Sequence, residues 1–245
     1  SFWGWFVESF WTDPQRGHLL DYADKHWYAN ETGASCNDSG SSCELISNVW
    51  TDSAAYVREC WQRFQEYKQQ FNYNKPILRG EGGVAQSSTQ PQHPDLSSDT
   101  PQGSYEHKVV YYHKKLWAHV GSLGNTCDGE WYPRLFLSTN TGENEALWAI
   151  YGTYERFMQG EPLNNGSYEE IGTDLQGSAQ VLVTGDPSGR LRAWGVRDAQ
   201  TGRVLLWIDN ANHTWRNVAN GASISPVSGD LTIQGLPQGT YTAEW

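Results

Sequence analysis

The sequence predicts an α/β fold followed by an all-β segment, and three observations carry that prediction. Residues 20 to 160 alternate strand-like and helix-like periods three times, an order that implies parallel strands joined by crossover helices. From Gly177 the chain changes to short strand-like runs separated by turn residues, which implies a small antiparallel β-sandwich. At 245 residues there is enough chain to bury a sizeable core. The expected organisation is an α/β part over 1–160, a linker over 161–176 and a β-sandwich over 177–245.

Each element has its own signal. After the aromatic opening "SFWGWFVESFW", the run "HLLDYADKHWYA" has the period of a strand, with His26 and Tyr28 on one face. A polar loop follows from Asn30 to about Asn48. In "TDSAAYVRECWQRFQEYKQQF", Val57, Trp61, Phe64 and Phe71 recur at helical spacing, and Thr51, Asp52 or Ser53 can cap the start. "PILRGE" is the next strand, ending at Glu81. The segment 85–104, rich in Ser, Gln, Pro and Asp, is too long for a simple connection and is expected to be functional or disordered.

A second helix carries Val109, Tyr112, Leu116 and Val120 on one stripe. "CDGEWYPRLFL" reads as a strand despite Pro133, and a third helix begins near Glu143 with Leu147, Ile150, Tyr151, Tyr154 and Met158 on its apolar face. The β segment then offers "SAQVLVTG", "RLRAWGVRD", "RVLLWIDN", "LTIQG" and "TYTAEW", joined by "DPSG", "DAQTG" and "LPQG". In the last of these strands Tyr241, Ala243 and Trp245 alternate inward.

Composition narrows the function. A net charge of −11 with pI near 5.0 argues against a nucleic-acid partner. No apolar run approaches the roughly 20 residues that span a bilayer. Thirteen tryptophans in an acidic chain suit a carbohydrate partner, since sugar C–H faces pack on aromatic rings while carboxylates take the hydroxyls. Cys36 and Cys43 bracket a Ser/Asn/Asp/Gly loop and are disulfide candidates, as are Cys60 and Cys127, with the pairing left open. The sequons at Asn30, Asn37, Asn165 and Asn212 are glycosylation candidates, and together with the cysteines they favour a secreted protein. The chain opens on Ser1 without a secretory leader and is expected to be processed or a fragment. No zinc-like Cys or His spacing and no phosphate loop appear, so no metal or cofactor is expected.

The stretch "KPILRGEGG" resembles the seventh barrel strand of clan-A retaining glycoside hydrolases, where a K-P-apolar-x-G-E pattern delivers the nucleophilic glutamate. "DKHWY" looks like strand six, whose His and Tyr line the sugar site, and "KLWAHVGSLGNTCDGEWY" looks like helix seven leading into strand eight, with a tryptophan at the floor of the site. The tail ending "LPQGTYTAEW" is similar to the C-terminal sandwich that follows such barrels. The resemblance implies the C-terminal half of a (β/α)8 barrel (strands six to eight) plus a sandwich, with Glu81 as nucleophile and His26, Tyr28 and Trp131 as substrate-binding residues. It also implies that Tyr28 hydrogen-bonds the Glu81 carboxylate and that Gly80, Gly82 and Gly83 let substrate come close. Retaining enzymes need a second carboxyl group about 5 to 5.5 Å from the first as acid/base. In the family it follows strand four in an Asn-Glu pair.

Here Asn30-Glu31 lies only about 50 residues before Glu81, too few for three strand–helix units, and Asn144-Glu145 follows Glu81. Glu8 has no motif, and Asp21 and Asp24 read as surface or capping groups. The proton donor and the remaining barrel strands are therefore expected outside this chain, in a missing N-terminal part or another chain. The competing reading is a non-catalytic structural or carbohydrate-binding protein built from a degenerate glycosidase segment.

Overall fold

The computed structural model describes residues 22–30, 44–46, 49–70, 72–73, 75–85, 96, 105–123, 128–130 and 141–245, and at His26 and Glu81 the description is of the backbone. The chain divides into two compact units. The first comprises Ser1–His119, Gly124–Met158 and His213–Ile224, and the second comprises Val120–Leu123, Gln159–Asn212 and Ser225–Trp245.

In the first unit four strands form one parallel sheet, in the order β2-β1-β3-β4. The strands are β1 (Ala23–Asn30), β2 (Glu44–Ile46), β3 (Ile77–Ala85) and β4 (Asp128–Glu130). Parallel neighbours require long crossovers. Helix α1 (Ser53–Gln70) supplies one before β3, and α2 (Glu106–Trp117) supplies one between β3 and β4.

Of the three cap candidates, Asp52 caps α1. Its Oδ1 accepts from the Ala54 and Ala55 amides at 3.1 and 3.4 Å, satisfying donors that the first turn leaves orphaned. Val57, Trp61 and Phe64 are buried as their spacing predicts, joined by Tyr56 and Cys60. Phe71 lies outside the described residues. On the sheet Ala23, Ala29, Ile77 and Val84 are buried, each large side chain among these contributing about 1.5–3 kcal/mol.

Several features depart from the sequence reading. The loop expected over 30–48 contains β2, a three-residue strand too short to show a period, which pairs with Trp27–Ala29 of β1. Within the segment 85–104 the structure describes Leu96, which is fully buried. On α2 the buried set is Lys108, Tyr111, Tyr112, Lys114 and Lys115, so the core face is partly cationic rather than the apolar stripe alone. Helix α3 (Thr141–Met158) buries Leu147 and half-buries Ile150, Tyr154 and Met158 of its expected apolar face, while Tyr151 stands 48% exposed; Trp148, outside that face, is 58% exposed. Trp117 packs edge-on to Tyr154 and beside Phe157, at centroid distances of 5.5 and 5.1 Å.

In the second unit β5 (Tyr168–Gly172), β7 (Leu191–Asp198) and β8 (Val204–Asn210) form an antiparallel sheet in the order β5-β7-β8. Strands β6 (Val181–Thr184) and β9 (Asp230–Ile233) form a separate antiparallel pair. Ile171, Val181 and Ala193 make a cluster with Val204, Leu206, Ile208, Leu231 and Ile233, so both small sheets contribute to one apolar core. Residues 161–176, expected as a linker, carry β5, whose polar sequence "YEEIG" conceals an edge strand. The tail 240–245 is not a strand, and Tyr241 and Trp245 are exposed rather than inward-facing. The Tyr241 hydroxyl donates to the Pro237 carbonyl at 2.6 Å, which turns the tail back on its own loop.

Candidate functional site

Glu81 lies at the middle of β3, an interior strand that continues to Ala85 and does not end at Glu81 as expected, and its register partners are His26 on β1 and Gly129 on β4. Tyr28, buried at 5% exposure, lies two residues further along β1 opposite Gly83. The sheet thus places His26, Tyr28 and Glu81 in one short reach of two adjacent strands. Trp131 lies outside the described residues, as do Cys36, Cys43, Cys127 and Asn37.

The register holds a feature that the sequence did not disclose. From Leu78 to Glu81 strand β3 takes three steps, while β1 takes two from Asp24 to His26. From Arg79 to Glu81 it takes two, while β4 takes one from Asp128 to Gly129. Strand β3 therefore carries one extra residue against both neighbours immediately before Glu81. Such bulges bend a strand and re-aim the side chain that follows, and they are enriched beside active sites.

Gly80 is the residue at this irregularity. Its N–H donates to Asp24 Oδ1 at 2.7 Å, so the carboxylate takes a donor displaced from the regular ladder. A Cβ at Gly80 would lie 2.8 Å from Asp24 Cγ, so a larger residue there requires the Asp24 side chain to shift. Asp24 is exposed, as expected of a surface group, and its carboxylate also takes this backbone donor.

The residues on either side are anchored to the helices. Arg79 is fully buried; its Nη1 donates to Cys60 Sγ at 3.2 Å, its Nη2 lies 3.1 Å from His119 Nε2, and its guanidinium carbon is 4.7 Å from the centroid of the Tyr56 ring. Beyond Glu81, the Gly82 carbonyl accepts from Lys115 Nζ at 3.2 Å. Lys115 Nζ also meets Glu130 Oε2 at 2.8 Å, and the Tyr111 hydroxyl donates to the same oxygen at 2.9 Å. Before the strand, the Tyr73 hydroxyl donates to the Pro76 carbonyl at 3.5 Å, and burial pushes its phenol up to about 12.

Glu130, Arg79, Lys115 and Asp24 were not singled out as site residues by sequence. For Arg79 and Glu130 the available signal was a charged residue inside a short strand, "ILRGE" and "DGE". Glu130 forms an internal ion pair with Lys115 and accepts from Tyr111, its side chain 3% exposed. Among the described residues no disulfide occurs, and Cys60 serves Arg79 as acceptor.

Of the sequons, Asn30 is the last residue of β1. Asn165 is exposed, its Oδ1 accepting from the Ser167 amide and hydroxyl at 2.8 and 2.7 Å. Asn212 is half-buried, and its sequon threonine, Thr214, is buried and caps a short helix. No group of His, Cys, Asp and Glu able to hold a metal occurs among the described residues. No described helix is long and apolar enough to cross a membrane. Comparisons with protein families, with curated proteins and with solved structures return no match.

Proposed function

We propose that this chain is part of a secreted retaining glycoside hydrolase acting on O-glycosidic bonds of a poly- or oligosaccharide, with Glu81 as nucleophile. The observation that carries the reading is the bulge in β3, which places Glu81 just after an extra residue in an interior strand of an all-parallel sheet. Strand irregularities of this kind are over-represented next to active sites. His26 as register partner and Tyr28 close by on β1 support it. In this reading Glu81 attacks the anomeric carbon and the C–O bond to the leaving group breaks. A second carboxyl group outside this chain supplies the proton and later activates water.

An activated substrate tests this without the second carboxyl. A 2,4-dinitrophenyl 2-deoxy-2-fluoroglycoside expels dinitrophenolate unaided, and the fluorine slows release of the trapped sugar. Offered in gluco, galacto, manno and xylo forms to the protein as its source makes it, one configuration is expected to release about one equivalent of dinitrophenolate. The added mass should reside on the peptide containing Glu81, and Glu81→Gln should abolish it. Label on another carboxylate, or none with all four sugars, would overturn the assignment.

A further inference from the structure

We propose that Arg79 is the positioning residue of this site: its guanidinium, clamped between α1 and the turn after α2, fixes the β3 bulge that presents Glu81. The inference rests on the glycosidase reading for its kinetic consequence and on geometry alone for the clamp.

Four observations carry it. Arg79 stands at the bulge, two residues before Glu81, at the last β4 pairing before the register slips. Its side chain is fully buried, where an unbalanced charge is costly. Its contacts come from separate elements, with Tyr56 and Cys60 on α1 and His119 in the 3-10 turn Ala118–Gly121 after α2. Finally, the planar fork fixes direction as well as distance, because two nitrogens are engaged at once while an aromatic ring bounds the group. A strand that only needed filling would be served as well by an apolar residue, since buried charges often exchange for hydrophobic side chains at little cost in stability. An arginine at this point holds a particular backbone path.

That distinction sets the experiment, in which Arg79→Met and Arg79→Lys are compared with wild type in the fluoroglycoside trap, in thermal melting and in amide hydrogen exchange. Arg79→Met fills the space without the fork. It is expected to melt near wild type and to exchange faster at the Gly80–Gly82 amides than along the rest of β3. Its inactivation rate constant should fall about 100-fold while the inhibitor constant stays within about threefold, the pattern of a misplaced nucleophile. Arg79→Lys should fall between.

Should Arg79→Met fail to fold, the His119 pair decides. His119→Gln keeps an acceptor for the guanidinium and should preserve trapping, whereas His119→Leu should not. Unchanged exchange at Gly80–Gly82 and an unchanged inactivation rate would overturn the clamp. If wild type is never labelled at Glu81 yet Arg79→Met loosens Gly80–Gly82, the glycosidase reading fails and the clamp stands.

Discussion

At the residue scale the first unit is marked by buried cations. Arg58, Arg79, Lys108, Lys114 and Lys115 are all nearly inaccessible, and each has an acceptor or a ring against it. The Lys108–Glu143 pair is the cleanest case, at 2.9 Å with side chains 2% and 4% exposed. Removing one partner leaves the other charged and dry, so Glu143→Ala is expected to cost about 3–5 kcal/mol in urea unfolding. The double replacement Lys108→Met with Glu143→Leu should recover most of that loss. If Glu143→Ala cost no more than a typical surface change, the pair would be solvated in solution. The sequence showed the helix but not this face of it. Its period was read from Val109, Tyr112 and Leu116, and a lysine can be placed inside only once an acid 35 residues away is known to meet it. For the candidate site the same limit applied, because the motif exposed Glu81 while Arg79, Lys115 and Asp24 acquire their roles through partners on other elements.

At the element scale, caps and turns were the legible part because their chemistry is local. Asp52 was among three adjacent cap candidates, and the "DPSG" residues do make a turn between β6 and β7, though it links two sheets instead of closing the hairpin its residues imply, since β6 pairs with β9. Asp186 does the tying there. Its Oδ1 accepts from the Ser188 hydroxyl and amide at 2.6 and 2.9 Å, and its Oδ2 accepts from the Arg190 and Leu191 amides at 2.7 Å. These hydrogen bonds, led by that from the Ser188 hydroxyl, lower its pKa from 3.8 to about 2. A depressed acid stabilises the fold above its unfolded value and loses that contribution as pH falls through its folded value. Acidification between about pH 4 and 2 should therefore weaken the β6–β7 turn, and Asp186→Asn should flatten the dependence in that window. Identical pH profiles for the two proteins in hydrogen exchange at Arg190 and Leu191 would count against it.

Alternation alone was a poorer guide than turn chemistry. "TYTAEW" has a perfect period of two, yet Trp245 is fully exposed, since a pattern makes a strand only where an edge is open to pair with it.

At the scale of the whole molecule, the first unit is not one continuous run of chain ending near residue 160. Residues 213–224 belong with the first unit although they follow four strands of the second. The helix α4 (Trp215–Ala219) has a start-and-stop signal in Thr214 as cap and Gly221, with φ +67, just beyond Asn220. At five residues it was too short to show a period. Its weight lies in one side chain. Trp215 is fully buried, donates from Nε1 to the Trp50 carbonyl at 3.0 Å, and meets the Trp50 and Tyr111 rings edge-on at 5.7 and 6.5 Å. The preceding His213 carbonyl accepts from buried Lys114 at 3.0 Å. A chain ending at residue 160 would leave the Trp50–Tyr111 surface open and Lys114 short of an acceptor. Trp215→Ala in the whole chain is expected to cost about 3–5 kcal/mol in urea unfolding, the range for a deleted buried aromatic. The chain 1–160 alone is expected to lose its cooperative transition altogether. If it unfolded at the same urea midpoint as the whole chain, α4 would be an accessory on a self-sufficient unit and the partition that includes it would be wrong.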